Sequence, residues 1–338
     1  MISLTTSIVA LALTAAAATE PQKALSPSGE ASRVAFTALL KATTGVPEAR
    51  VSALTLPGTL EFLASPQAGM GYYALAQSFK KFPDRSVEAL RLYADILPKI
   101  DHLRGWDGYQ TTSVARIAKA TGDSALAEKV RSESASLILR TIKKHDFETP
   151  MLGSSDVLDY FKLDLEHLNG NGMRGILIGK RAPSMKFVWA SEPGLKSLSD
   201  LKGKVVVLDF WATWCKPCVG LFPKIHEISQ SYNGKPVVFV GVTSLQGWSM
   251  DPKVGKIDCK GDPKKETSLM PSLMTKLGVT WPVVFSDKDC FNPDFDIMEI
   301  PHMAVLDQDG VVRFDGVDPD DLKAKIDSLI AAKSKVSK

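Results

Sequence analysis

Two cysteines with two residues between them carry the strongest chemical signal in the sequence. Cys215 and Cys218 flank Lys216 and Pro217, and this short spacing lets both sulfurs join in one small ring. A disulfide of this kind can open and close without a large backbone movement. We therefore predict a redox-active disulfide between Cys215 and Cys218, which exchanges with other thiols through a thiolate.

The predicted start of a helix at this point indicates which cysteine attacks. Unpaired N–H groups and the helix dipole at a helix N-terminus favour thiolate over thiol. Pro217 suits the first helical turn because it has no N–H to leave unpaired, and Lys216 adds a nearby positive charge. We assign Cys215, at the exposed helix start, as the nucleophile and Cys218, one turn further on, as the resolving cysteine.

A metal site is the main chemical alternative for a pair of this spacing. Zinc would need two more ligands, which Cys259 and Cys290 could supply. Zinc sites usually combine two close-spaced pairs, however, and these two cysteines are single and far apart in the sequence. Haem attachment requires a histidine after the second cysteine, and Val219 stands there. We expect neither a metal nor another cofactor.

The second half of the chain alternates between strand and helix. Residues 205–210 form a nearly continuous apolar run, which is typical of a central strand covered on both faces. This order of elements predicts an α/β fold, a mixed sheet with flanking helices. Further strands are predicted at 176–178, 185–189, 237–242, 281–285, 302–306 and 311–314, helices at 217–232, 267–277 and 318–333, and a polar insertion at 244–265.

The first half of the chain has a helical pattern instead. Val87, Leu90, Ala94 and Leu97 follow the 3.6-residue period of a helix face, and two Asn-Gly pairs at 169–172 indicate a turn. We predict an all-α N-terminal domain over residues 20–172 and a second domain over residues 173–338. The helical domain has no cysteine, so we expect it to present or position partners, with a stabilising or dimerising role as the alternative.

Residues 1–19 are predicted to be a secretory signal peptide. The stretch is uncharged, has an apolar centre and ends in small residues, with Ala16-Ala17-Ala18 fitting the cleavage rule. An uncleaved anchor and a buried helix are the alternatives. Export predicts a periplasmic or other extracytoplasmic location, where disulfides persist. We expect a membrane association only if the segment is not cleaved.

The numbers of basic and acidic side chains indicate which classes of partner the sequence does not favour. The 338 residues include 41 basic and 38 acidic side chains, for a net charge of +3. This balance does not indicate binding to nucleic acid or to an anionic membrane surface. The expected partners are protein thiols and disulfides as substrates, together with an upstream thiol that donates electrons.

Residues 207–218, Val-Leu-Asp-Phe-Trp-Ala-Thr-Trp-Cys-Lys-Pro-Cys, resemble the active-site strand and loop of thioredoxins. Leu-Ser-Asp-Leu-Lys-Gly-Lys at 198–204 and Gly-Lys-Arg-Ala-Pro at 179–183 are similar to the extracytoplasmic TlpA/ResA-like branch. The resemblance covers about residues 175–333. It implies a thioredoxin-like domain and a thiol–disulfide oxidoreductase that acts on exported proteins as a reductant.

The resemblance also implies roles for residues beyond the two cysteines. Asp209, six residues before Cys215, matches the buried acid of thioredoxins and would take up the proton that Cys218 loses. Ile300-Pro301 matches the dipeptide whose proline is cis and shapes the substrate groove. Trp214 is expected either to contact substrate or only to pack. The insertion at 244–265 departs from a minimal thioredoxin and affects the face that binds partners.

Cys259 and Cys290 follow two strands that a thioredoxin sheet places near each other. Free thiols are a liability in an exported protein, so we predict a structural disulfide between them. A second redox pair and two unpaired thiols are the alternatives. For the whole chain, the alternative functions are a helical binding or scaffold protein with an accessory redox module, and a peroxide reductase on the same fold.

Overall fold

The computed structural model describes residues 30–42, 48–56, 58–63, 75–76, 87–103, 108–146 and 154–336. The predicted signal peptide lies outside these residues. The chain divides into two compact units, Met1–Asp164 and Leu165–Lys338. The division falls inside a helix, Ser154–Asn169, whereas the sequence predicted a boundary at residue 172.

The described part of the N-terminal unit is helical, which confirms the all-α prediction. Its apolar positions at the predicted helical spacing are buried, including Leu90, Ala94 and Leu97. Asp123 begins the longest helix by accepting the Leu126 N–H at 3.0 Å, which satisfies one of the unpaired donors at that end. The helices are α1 Glu30–Ala42, α2 Glu48–Thr55, α3 Thr59–Leu63, α4 Val87–Ile96, α5 Gly108–Ala120, α6 Ser124–Lys144 and α7 Ser154–Asn169.

The C-terminal unit contains a six-stranded mixed sheet in the order β1-β6-β3-β2-β7-β8, and a separate hairpin of β4 and β5. Strand β2 pairs in parallel with β3 and antiparallel with β7. The strands are β1 Phe187–Ala190, β2 Val205–Phe210, β3 Val237–Ser244, β4 Trp248–Asp251, β5 Gly255–Asp258, β6 Val283–Ser286, β7 His302–Leu306 and β8 Val312–Asp315. The helices are α8 Lys216–Gln230, α9 Pro263–Leu277 and α10 Leu322–Val336.

Both faces of the central strand β2 are buried, as its apolar run predicted. Val205 and Val207 belong to the core cluster that contains Cys215 and Cys218. Leu208 belongs to the cluster on the opposite face. Side chains alternate between faces along a strand, so Asp209 points to the same side as Val205 and Val207. This is the side on which the two cysteines pack.

Two of the sequence predictions are wrong in detail. Residues 176–178 were expected to be a strand, but they lie in a turn between Gly175 and Gly179, both of which have positive φ angles. The polar insertion predicted at 244–265 contains the β4–β5 hairpin. Helix α9 begins at Pro263 rather than at 267, because Asp262 accepts the Lys265 N–H at 2.9 Å and caps it.

None of the helices among the described residues has the length and apolar character needed to cross a membrane.

Candidate dithiol active site

Cys215 and Cys218 are joined by a disulfide, with their Cα atoms 5.3 Å apart. Helix α8 begins at Lys216, so Cys215 occupies the capping position that the sequence predicted. The Cys218 N–H donates to Cys215 Sγ at 3.2 Å. After reduction, the same N–H and the helix dipole would stabilise a negative charge on that sulfur.

Both cysteines are buried when they are disulfide-bonded. Cys215 is 3% exposed and Cys218 is 1% exposed, although Lys216 between them is exposed. We had expected Cys215 to lie at an exposed helix start, and this expectation is wrong for the oxidised protein. The sulfurs pack into the aromatic core beneath the helix, and only a small part of Cys215 reaches the surface. Its assignment as nucleophile therefore depends on its capping position.

Asp209 is a carboxylic acid with no polar partner among the described residues. It is 1% exposed, and neither carboxyl oxygen has a hydrogen bond. Burial raises its pKa to about 7, because a charged carboxylate is poorly solvated in an apolar environment. Near neutral pH the group can therefore exist with or without its proton, which is the property that a general acid or base requires.

Aromatic side chains pack on the side of the sheet to which Asp209 points. Trp211 is fully buried, and its ring meets Phe222 edge-on with the centroids 5.1 Å apart. Gly241 lies opposite Asp209 on β3. A Cβ atom at Gly241 would come within 2.9 Å of Trp211 Nε1, so only glycine leaves room for this indole. The carboxyl group is therefore buried in this core without a hydrogen-bond partner, and burial accounts for its raised pKa.

The Ile300-Pro301 peptide bond is cis, which confirms the sequence prediction. Strand β7 begins at the next residue, His302, which pairs with Phe210 at the end of β2. The cis proline and the loop that carries Cys215 therefore leave the sheet at the same end. Ile300 itself is half-buried and packs against both core clusters.

Trp214 is held by neighbours that the sequence did not reveal. Its Nε1 donates to Gln246 Oε1 at 2.8 Å, and its ring stacks on Phe291 with the centroids 6.3 Å apart. Gln246 Nε2 in turn donates to Ser244 Oγ at 3.0 Å. Gln246 and Phe291 come from distant loops and form no local motif with Trp214, so no sequence pattern could have identified them.

Cys259 and Cys290 are free thiols, and both are buried. The predicted disulfide between them is therefore absent from this structure. Burial raises the pKa of both thiols, to about 12 for Cys290. Cys290 is held after β6, where its N–H donates to Ser244 Oγ at 3.1 Å. Cys259 is held at the end of the hairpin, where its N–H donates to the Gly247 carbonyl at 2.9 Å.

In the described part of the chain, no group of three or more His, Cys, Asp and Glu side chains is arranged to hold a metal ion.

The fold and the dithiol at the start of α8 define a thioredoxin-like protein. Residues 177–330 match the Redoxin family. The thioredoxin-like protein YneN of Bacillus subtilis is 33% identical over 141 residues, which cover 41% of this chain and 71% of that protein. The thiol–disulfide oxidoreductase ResA of Bacillus anthracis is 29% identical over 136 residues, which cover 40% of this chain and 66% of ResA.

The Redoxin match, residues 177–330, lies within the C-terminal unit. Among solved structures, the thioredoxin domain of a thiol–disulfide oxidoreductase from Bacteroides vulgatus is 23% identical, with a TM-score of 0.33, over 45% of this chain and 96% of that chain. The chain belongs to the thioredoxin-like redoxin family of thiol–disulfide oxidoreductases.

Proposed function

We propose that the protein reduces disulfides in exported proteins through the Cys215–Cys218 dithiol. The Cys215 thiolate attacks a substrate disulfide, which forms a mixed disulfide and releases one substrate thiolate. The Cys218 thiolate then attacks Cys215 Sγ, which releases the second substrate thiolate and closes the Cys215–Cys218 disulfide. Two electrons pass from the protein to the substrate. The position of Cys215 Sγ at the start of α8, where it accepts the Cys218 N–H, is the observation that carries this proposal.

Asp209 serves the second step as a proton acceptor. Cys218 must lose its proton before it can attack, and the residue is 1% exposed, so bulk water has little access to it. Asp209 points to the same face of the sheet, and its pKa of about 7 lets it accept a proton at neutral pH. The acid gives the proton up again when the next thiol reduces the disulfide.

The substrate-binding residues of the proposal are Trp214, Ile300 and Pro301. Two observations support this set. The cis peptide bond and the cysteine loop leave the same end of the sheet, and Trp214 directly precedes Cys215 in a fixed orientation. A substrate chain that reaches Cys215 has to pass these side chains.

The proposal also includes a location and a source of electrons. Residues 1–19 act as a signal peptide, and the protein works in the periplasm or another extracytoplasmic compartment. An upstream thiol reduces the Cys215–Cys218 disulfide after each turnover. The helical unit presents or positions partners, and the C-terminal unit carries out the exchange.

Insulin reduction by the protein and by its Cys215→Ser variant tests the activity. We expect the wild-type protein to reduce insulin in the presence of dithiothreitol and the variant to show only the background rate. With Cys218→Ser, a mixed disulfide to Cys215 should accumulate, and mass spectrometry would identify it. Trapping through Cys218 in the Cys215→Ser variant would instead reverse the two roles.

The equilibrium potential of the Cys215/Cys218 couple against glutathione tests whether the protein reduces or oxidises its substrates. A reductant has a potential below that of the compartment's thiol pool, and a shift of ~30 mV already changes a two-electron equilibrium tenfold. A strongly oxidising potential would contradict the proposed role as a reductant without affecting the exchange chemistry.

A further inference from the structure

The β4–β5 hairpin forms one wall of an open groove beside the active-site loop. The groove has a volume of about 590 Å³. It is lined by Gln246, Gly247, Trp248, Lys256, Asp258 and Lys260. We refer to these six residues as the hairpin groove.

Two hydrogen bonds connect the hairpin groove to the active-site loop. Gln246 lines the groove and accepts the Nε1–H of Trp214, the residue before Cys215. The Met250 N–H on β4 donates to Thr213 Oγ1 at 2.9 Å. A molecule that occupies the groove therefore lies next to the side chain of the residue that precedes the attacking cysteine.

Side chains of helix α9 hold the backbone at the base of the hairpin in place. The buried Glu266 accepts the backbone N–H of Gln246 at 2.8 Å and that of Gly247 at 2.9 Å. Lys265 Nζ donates to the Asp258 carbonyl at 2.8 Å. These contacts fix the backbone on both sides of the hairpin, before β4 and at the end of β5. The groove is therefore a defined part of the fold.

The groove carries a net positive charge, because its lining holds Lys256 and Lys260 and a single carboxylate, Asp258. Lys256 and Lys260 are exposed, and neither has an ion pair with a carboxylate in the described part of the chain. Lys256 Nζ lies 4.5 Å from the centre of the Trp248 ring, which positions the ammonium group but leaves its charge intact.

Of the nearby carboxylates, Asp251 is neutralised by an ion pair, whereas Asp258 and Asp262 accept only backbone N–H groups and keep their charge. Asp251 pairs with Lys276 and accepts the Lys253 and Val254 N–H groups, and Asp258 accepts the Lys260 N–H. Asp262 caps helix α9. Lys256 and Lys260 have no ion pair among the described residues and can pair with carboxylates of a partner. The exposed lysines of the hairpin and the turn after it are Lys253, Lys256, Lys260, Lys264 and Lys265.

We propose that the hairpin groove binds an acidic polypeptide segment that flanks the reactive disulfide of a protein substrate. The inference rests on the proposed function and adds a substrate class to it. Carboxylates of the segment pair with Lys256 and Lys260, while an apolar side chain contacts Val254, which is 73% exposed at the hairpin tip. The substrate cysteine then reaches Cys215 past Trp214.

Matched substrates separate this inference from the exchange activity. Two peptides of equal length, each closed by one disulfide, would carry either Asp and Glu or Lys and Arg beside the cysteines. The neutral 2-hydroxyethyl disulfide is too small to use the groove. We expect the protein to reduce the acidic peptide with a kcat/KM about 3- to 10-fold above that of the basic peptide at low salt, because complementary charge mainly speeds encounter. The preference should shrink as salt screens the charges.

The K256E/K260E double variant should lose or reverse the preference and keep its rate on 2-hydroxyethyl disulfide. The K202E/K204E double variant is the matched control, because these two exposed lysines precede β2 and so lie at the opposite end of that strand from Cys215. It removes the same charge and should keep the preference.

The results that would overturn the inference are distinct from those that would overturn the proposed function. Equal rates on both peptides, or equal effects of the two double variants, would show that the groove does not read acidic segments. Binding to anionic phospholipid vesicles that depends on Lys256 and Lys260, without a preference between peptides, would assign the groove to a lipid surface. Failure to reduce any of the three disulfides would contradict the proposed function itself.

Discussion

The C-terminal unit holds two kinds of cysteine that differ in position rather than in burial. Cys215 and Cys218 are bonded to each other at the start of α8, where the Cys218 N–H points to Cys215 Sγ. Cys259 and Cys290 are equally buried, but they lie in loops, remain free and have raised pKa values. All four are nearly inaccessible, so burial alone does not separate a reactive pair from an inert one.

The difference between the pairs lies in which form of the sulfur each site stabilises. A helix N-terminus supplies unpaired N–H groups that favour a thiolate. At Cys259 and Cys290, burial and neighbouring carboxylates such as Glu266 and Asp289 raise the thiol pKa and favour the neutral thiol. We therefore expect the same residue type to be redox-active at one site and chemically quiet at another, 40 to 80 residues away in the sequence.

The largest expected effect is the loss of activity when Cys215 is removed from the bonded pair. Removing Cys290, one of the two free thiols, is the comparison. We expect Cys215→Ala to abolish insulin reduction, because the nucleophile is lost. Cys290→Ala, the matched change at the inert site, should leave turnover close to wild type and lower the free energy of unfolding by about 1 kcal/mol for the small cavity that it leaves. A turnover assay and denaturant unfolding measure both. Loss of activity in Cys290→Ala with intact stability would place Cys290 in the exchange reaction.

The sequence predicts the candidate site because the main signals of that site are local. The cysteine spacing, the apolar run of β2 and Pro217 at the helix start are all readable within one short segment, and the structure shows each of them. The sequence failed where a property depends on distant loops. The contact of Trp214 with Gln246 and Phe291, and the free state of Cys259 and Cys290, depend on how residues far apart in the chain come together.

Asp209→Asn tests whether exchange through Cys215 and Cys218 needs a proton acceptor. The amide keeps the shape of the side chain but cannot take a proton. We expect release of the mixed disulfide to slow by up to ~10²–10⁴-fold, the usual range for general-base help, while its formation changes little. Rapid-mixing kinetics would separate the two steps. Asp320→Asn, an exposed carboxyl on the same unit, is the control, and an unchanged release rate in Asp209→Asn would remove Asp209 from the mechanism.

We also expect Asp209→Asn to change the free energy of unfolding by an amount that depends on pH. The pKa of Asp209 is raised from 3.8 to about 7 in the folded protein, so the folded state holds the proton more tightly than the unfolded state. Its favourable contribution is complete below about pH 4 and is lost as the pH rises through 7. The stability of Asp209→Asn relative to wild type should therefore increase between pH 5 and pH 8, by about 1–4 kcal/mol.

Asp251→Asn is the comparison variant, because the pKa of Asp251 is shifted in the opposite direction from that of Asp209. Asp251 is also buried, but Lys276 and two backbone N–H groups lower its pKa to about 2. Its contribution to stability is present above about pH 4 and is lost as the pH falls through 2. This variant should therefore be less stable than wild type at both pH 5 and pH 8, by a similar amount. Denaturant unfolding of the oxidised proteins measures both variants. A constant difference for Asp209→Asn would show that Asp209 ionises normally.

The smallest expected effect comes from removing the helical unit, which contains neither kind of cysteine. A fragment of residues 154–338 should reduce 2-hydroxyethyl disulfide at nearly the rate of the full chain, because every residue proposed for the exchange lies between Asp209 and Pro301. The fragment has to include residues 165–172, which belong to the C-terminal unit. A Cβ atom at Gly170 would come within 2.1 Å of the Pro293 carbonyl oxygen, so a start at 173 would remove a segment that packs closely within this unit. Circular dichroism would establish that the fragment is folded. A folded fragment without activity on this small disulfide would show that the helical unit takes part in the chemistry.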